Sequence, residues 1–192
     1  MKKNKKFKIF IACDTSNLSQ IKKIISQTKT TKLKIIPKFG IQFFYSKYGR
    51  SFLKTFKRDY WLDLKINDIP QTALSAVNSL KDLKHCKYLT VHTSGGLEML
   101  KAIKKKTKTI NKNLKVLGVT VLTSLNNKSL RQIGYTSSIE KLVLKQASLI
   151  KKAGLDGIVC SGGSEAKKVK KKYKNLFIVT PGIRLPGDKA DD

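Results

Sequence analysis

The sequence predicts a parallel α/β fold of the TIM (β/α)8-barrel type, with seven βα units and no eighth. Three observations carry that prediction. Apolar, β-branched runs alternate with segments of helical period, the pattern of βα units around a parallel sheet. Nearly every predicted strand finishes on a polar residue or a glycine-containing turn: Asp14, Lys38, Asp63 with Lys65, His92, Thr123, Ser161 and Thr180. A barrel draws its chemistry from the C-terminal ends of many strands, whereas an open doubly wound sheet concentrates it at one switch point behind a Gly-rich first loop. The first loop here is Asp14-Thr15-Ser16-Asn17, without glycine.

Taken in order, the predicted strands are the apolar runs at 8–13, 33–38, 60–65, 88–92, 115–122, 157–160 and 177–180. The segments between them repeat apolar residues at helical rather than alternating spacing. They predict helices at 18–27, 42–54, 70–83, 96–105, 139–153 and 165–173. No low-complexity linker interrupts this order, so residues 1–192 are read as one domain. With 192 residues, 40% of them hydrophobic, the chain is long enough for one sizeable core.

No stretch approaches the roughly 20 apolar residues of a membrane helix. The N-terminus, Met-Lys-Lys-Asn-Lys-Lys, is basic like the start of a signal peptide, but the run behind it reaches Asp14 too soon. A cytoplasmic protein is expected, with no membrane partner. Cys13, Cys86 and Cys160 are odd in number and far apart, which suits reduced, partly buried thiols rather than a disulfide framework or a metal site. The formal net charge of +29 suggests nucleic acid at first sight. Yet 37 of the 41 basic residues are lysine, with arginine only at Arg50, Arg58, Arg131 and Arg184. Base reading and bidentate phosphate recognition favour arginine. The densest lysine run, 167–174, lies on a predicted helix and reads as a solvated face, so no specific nucleic-acid partner is expected.

The stretch Trp61-Leu62-Asp63-Leu64-Lys65-Ile66-Asn67-Asp68-Ile69-Pro70 carries the most chemistry. Alternate side chains of a strand share a face. If Leu62 and Leu64 face the covering helices, Asp63 and Lys65 point into the barrel mouth. A buried charge pair is costly unless well partnered, and its placement there points to function. Two plainer readings stand beside this one. Asp63 and Lys65 form a structural ion pair, or Asp68, before Ile69-Pro70, caps a helix. Neither accounts for a third charged strand end, Lys38, at the same mouth.

Asp63-x-Lys65-x-x-Asp68 followed by Ile69-Pro70-x-Thr72 resembles the signature of orotidine 5′-monophosphate decarboxylases. The resemblance continues in order through Asp14, Lys38 in Pro-Lys-Phe-Gly, Val91-His92-Thr93-Ser94-Gly95-Gly96, Val119-Thr120-Val121-Leu122-Thr123-Ser124, Asp156-Gly157-Ile158-Val159-Cys160-Ser161 and Thr180-Pro181-Gly182-Ile183-Arg184. It implies decarboxylation of orotidine 5′-monophosphate to uridine 5′-monophosphate, with no cofactor and no metal. Lys38, Asp63, Lys65 and Asp68 would form an alternating charge array, with Lys65 as proton donor. Asp14 and Lys38 would bind the ribose hydroxyls, Thr123 with Ser124 the pyrimidine edge, and Pro181 and Arg184 would belong to the phosphate loop. Asp68, Ile69 and Thr72 would come from the second subunit of a homodimer. His92 reads as a core or supporting histidine, and Gly162-Gly163 as a strand-to-helix turn.

The sequence ends at Asp192, within the loop that follows the family's seventh strand. The resemblance therefore implies that the eighth strand, with its share of the phosphate contacts, lies outside it. Two rivals follow. Magnesium-dependent sugar-phosphate decarboxylases and aldolases of the same superfamily share the Asp-x-Lys-x-x-Asp core, although Ile69-Pro70-x-Thr72 and Leu122-Thr123-Ser124 speak against them. An inactive barrel remnant would bind RNA non-specifically, with a steep salt dependence.

Overall fold

The computed structural model describes residues 8–183. Seven strands form one sheet: β1 (Lys8–Ala12), β2 (Lys34–Gly40), β3 (Tyr60–Ile66), β4 (Cys86–His92), β5 (Lys115–Val119), β6 (Gly157–Val159) and β7 (Phe177–Val179). Each pairs in parallel with the next in sequence order. Parallel neighbours need a crossover, and helices supply it. They are α1 (Leu18–Gln27), α2 (Ile41–Phe44), α3 (Gly49–Thr55), α4 (Pro70–Asn78), α5 (Gly96–Ile110), α6 (Asn127–Gln132), α7 (Ile139–Lys152) and α8 (Ser164–Lys172). The sheet curls until its ends face each other: Nζ of Lys8 on β1 lies 5.3 Å from the ring of Phe177 on β7. This is the barrel-type sheet that the strand ends predict, seven-stranded among the described residues.

Alternation along the strands sorts their side chains into two cores. Inside the curl, Phe10, Ile36, Trp61, Tyr88, Leu117, Val119, Val159 and Val179 pack together. Phe10 meets Trp61 and Tyr88 edge-on at 4.8 and 5.2 Å, a favoured aromatic geometry. This plug fills the interior. Lys38 and Asp63, two residues beyond Ile36 and Trp61, therefore stand above it at the C-terminal rim. The outward faces, including Phe39, Leu62 and Leu89, pack against Phe43, Ala73, Met99 and Ile103 of the helices.

The one helix predicted at 42–54 is two. The chain leaves α2 at Phe44 and folds back so tightly that a Cβ on Gly49 would lie 1.7 Å from the Phe43 carbonyl oxygen. Ser46 secures the turn, its N–H and hydroxyl both donating to that oxygen at 3.1 and 2.7 Å. Only glycine fits, so Gly49→Ala is expected to lower stability by about 3 kcal/mol or more, read by urea unfolding.

Other boundaries moved for identifiable reasons. Helix α4 stops at Asn78 rather than 83, and Leu80 and Leu83 are buried from tight turns instead; their apolar spacing marked burial, not helix. Helix α5 runs on to Ile110. Strand β5 ends at Val119, after which Val121 turns into the outer core while Leu122 is exposed. Helix α6, six residues long, is too short for a periodic signal; Asn126 caps it by accepting from Lys128 and Ser129 N–H, both at 2.9 Å. No helix among the described residues is long and apolar enough to cross a membrane.

Candidate active site

Strand β3 pairs with β4 at Leu62↔Leu89, and then the register jumps to Ile66↔Val91. Asp63, Leu64 and Lys65 thus stand opposite Thr90 alone, in a bulge of the kind that re-aims side chains at sheet rims. Lys65 closes the bulge in the left-handed region, φ 48°, the only non-glycine residue with positive φ among those described. That conformation costs about 1–2 kcal/mol for a residue with a Cβ and persists only where neighbours enforce it. The neighbour is Thr90. Its Oγ1 accepts the Lys65 backbone N–H at 3.0 Å and donates to Asp63 Oδ1 at 2.7 Å.

Asp63 is the hub of the charges. Its side chain is 10% exposed, and its Oδ2 lies 3.0 Å from Lys65 Nζ and 3.5 Å from Lys38 Nζ. Lys38 Nζ also lies 3.1 Å from Asp14 Oδ1. Asp14, Lys38, Asp63 and Lys65 therefore form one run of alternating sign from the end of β1 to the end of β3. Two ammonium groups and a hydroxyl offset the cost of burying the Asp63 carboxylate. The expected convergence of Asp63 and Lys65 is realised, although a bulge rather than a plain pleat delivers it.

Asp68 does not join this run within its own chain. Its Oδ1 accepts the N–H of Ile69 at 2.7 Å, and it has no ion pair among the described residues. Nor does it cap α4, whose N-cap is Ile69 with no side-chain bond. Asp68, Ile69 and Thr72 are exposed, and Asp68 and Thr72 line a groove of about 340 Å³ together with Tyr45, Lys65, Asn67 and Ala76. Thr123 and Ser124 after β5, and Pro181 after β7, are exposed on loops of the same rim. Arg184 lies outside the described residues.

His92 ends β4 and caps the 3-10 turn Thr93–Gly95 with its ring, Nδ1 lying 2.7 Å from Ser94 Oγ, a supporting role as expected. Burial, and then the charge of Lys65, hold its pKa below the usual 6.5. The unfolded chain accepts a proton that the folded ring refuses, so stability falls as pH drops below 6.5. Urea unfolding at pH 7.5 and 5.5 is expected to show this loss in the native chain and a smaller one in His92→Asn. Gly162-Gly163 forms the strand-to-helix turn, with Gly163 at φ 62° as N-cap of α8. The three cysteines are free and buried, and burial raises their thiols to about 11 for Cys13 and Cys160 and about 12 for Cys86. Among the described residues no three His, Cys, Asp or Glu side chains are grouped to hold a metal ion.

A family model described as orotidine 5′-phosphate decarboxylase / HUMPS family matches residues 8–192. The chain belongs to that family. Its curated relatives include the orotidine 5′-phosphate decarboxylase of Erythrobacter litoralis, 37% identical over 186 residues, covering 96% of this chain and 80% of the relative. The enzyme of the same name from Buchnera aphidicola is 38% identical over 197 residues, covering 96% and 78%. The crystal structure of orotidine 5′-phosphate decarboxylase from Lactobacillus acidophilus matches with a TM-score of 0.81 at 31% identity, covering 92% of this chain and 81% of that one. The strand motifs thus led to the right family.

Thr90, which the orotidine 5′-phosphate decarboxylase motif does not include, escaped the sequence reading. A signal was available. Tyr88, Thr90 and His92 share the inward register of β4, and Thr90 is a wholly buried hydroxyl in an apolar strand.

Proposed function

We propose that this chain decarboxylates orotidine 5′-monophosphate to uridine 5′-monophosphate, the last step of de novo pyrimidine nucleotide formation. The observation that carries the reading is the buried Asp63 carboxylate holding two ammonium groups at the rim of the barrel, 3.0 and 3.5 Å away. The bond from C6 to the carboxylate breaks, carbon dioxide leaves, and the electron pair stays on C6. Lys65 Nζ delivers a proton to that carbon and regains one from water. Until then its positive charge offsets the growing negative charge in a preorganised site. Asp63 keeps the ammonium charged and aimed.

Asp14 and Lys38 hold the ribose hydroxyls, Thr123 and Ser124 the pyrimidine edge, and Pro181 and Arg184 the phosphate. The site is completed in a homodimer, where Asp68, Ile69 and Thr72 reach the Lys65 of the other subunit. Support for this comes from Asp68, which has no ion pair among the described residues, and from Ile69, an apolar side chain 67% exposed. The buried, reduced thiols suit a cytoplasmic enzyme.

The test is the ultraviolet absorbance change on mixing the purified protein with orotidine 5′-monophosphate. Turnover that is unaffected by EDTA is expected. Turnover of a ketohexose phosphate that EDTA stops, with none of the nucleotide, would replace this reading by the sugar-phosphate one.

A further inference from the structure

We propose that Thr90 is a positioning residue for proton transfer, holding Lys65 through a closed ring of hydrogen bonds; the inference rests on the decarboxylase reading above. The ring has three links. The Lys65 backbone N–H donates to Thr90 Oγ1 at 3.0 Å, the Thr90 hydroxyl donates to Asp63 Oδ1 at 2.7 Å, and Lys65 Nζ donates to Asp63 Oδ2 at 3.0 Å. The main chain and the ammonium of one residue are thus tied together through two others.

The direction of each link is dictated. A hydroxyl has one proton, and the lone pair of Thr90 that faces Lys65 is occupied by the N–H, so the proton is committed to Asp63. That bond takes up Oδ1 and turns Oδ2 toward both lysines. Thr90 is 0% exposed, so bulk water does not reach the site to substitute for it. The same hydroxyl answers the backbone requirement of the bulge: in the left-handed conformation of Lys65 its N–H leaves the regular ladder and needs another acceptor. Without the hydroxyl, the Lys65 N–H and Asp63 Oδ1 both lose a partner. The bulge then relaxes, and the ammonium moves off its line to the reacting carbon.

Thr90→Val keeps the shape and removes the hydroxyl; Thr90→Ser keeps the hydroxyl and removes the methyl. Small displacements of a reacting group are expensive, so Thr90→Val is expected to lower kcat by about 10- to 100-fold. KM should stay within about threefold, because substrate affinity comes mainly from the ribose and phosphate contacts. Thr90→Ser should stay within about threefold of native kcat. Hydrogen exchange of the Lys65 amide, read in the free protein, should be at least about tenfold faster in Thr90→Val and near native in Thr90→Ser.

A Thr90→Val enzyme with native kcat overturns the proposal. So does Thr90→Ser impaired as badly as Thr90→Val, which would assign the effect to methyl packing. Unchanged amide exchange overturns it as well. Should Thr90→Val fail to fold, Thr90→Ala against Thr90→Ser makes the same comparison. If the native protein does not turn over orotidine 5′-monophosphate, the decarboxylase reading falls, and the exchange measurement decides on the ring by itself.

Discussion

Replacing Lys65 with alanine is expected to lower kcat by at least about 10⁴-fold, because in the proposed mechanism one group supplies both the proton and the charge that offsets the carbanion. The fold should survive. The left-handed backbone at residue 65 is no harder for alanine than for lysine, and Asp63 retains Lys38 at 3.5 Å and the Thr90 hydroxyl at 2.7 Å. The lost Lys65–Asp63 pair is partly exposed on the lysine side, at 35%, so its loss should cost about 1 kcal/mol or less and shift Tm by only a few degrees. Steady-state absorbance assays with a thermal melt on the same sample check both halves. A variant that keeps kcat within about tenfold of native would assign the proton to another group.

A one-to-one mixture of Lys65→Ala and Asp68→Ala is expected to regain about a quarter of native activity, although each variant alone is nearly inactive. Asp68→Ala should by itself lose about 10²- to 10³-fold in kcat, as for removal of one electrostatic contact to the reacting centre. The recovery follows from geometry. Among the described residues the Asp68 carboxylate is bonded only to the N–H of Ile69, and in the proposed homodimer it would serve the site across a two-fold axis. Random re-pairing makes half of the dimers mixed, and in each mixed dimer one of two sites is wholly native. Mixed dimers seen by native mass spectrometry but devoid of activity would place Asp68 outside the shared site.

Much of this was legible in the residues. Helix α1 fell on its predicted bounds, 18–27, and the seven strands came in the predicted order. Asp14, Lys38, Asp63 and Lys65 were singled out as charged or polar strand ends, and they meet in space. Where the reading slipped, the deciding contact lay between residues distant in sequence or in a segment too short for a period. The break between α2 and α3 depends on Gly49 meeting the Phe43 carbonyl. The apolar spacing at Leu80 and Leu83 recorded burial without saying which backbone would provide it. Thr90 stands out only when β4 is laid beside β3.

Periodicity and polar strand ends are local properties, written in the order of residues; they were sufficient for the fold type and the charged set at the rim, and the resemblance of the strand motifs supplied the family. The register jump between Leu62↔Leu89 and Ile66↔Val91 is not local. It arises because β3 must satisfy its backbone against β4 while burying Asp63, and the compromise places Lys65 at φ 48° with its N–H on Thr90. Pairing between strands about 25 residues apart thus chose the aim of the ammonium. The sequence names the groups that meet at the mouth of the barrel; packing between neighbouring strands sets the angle at which they meet.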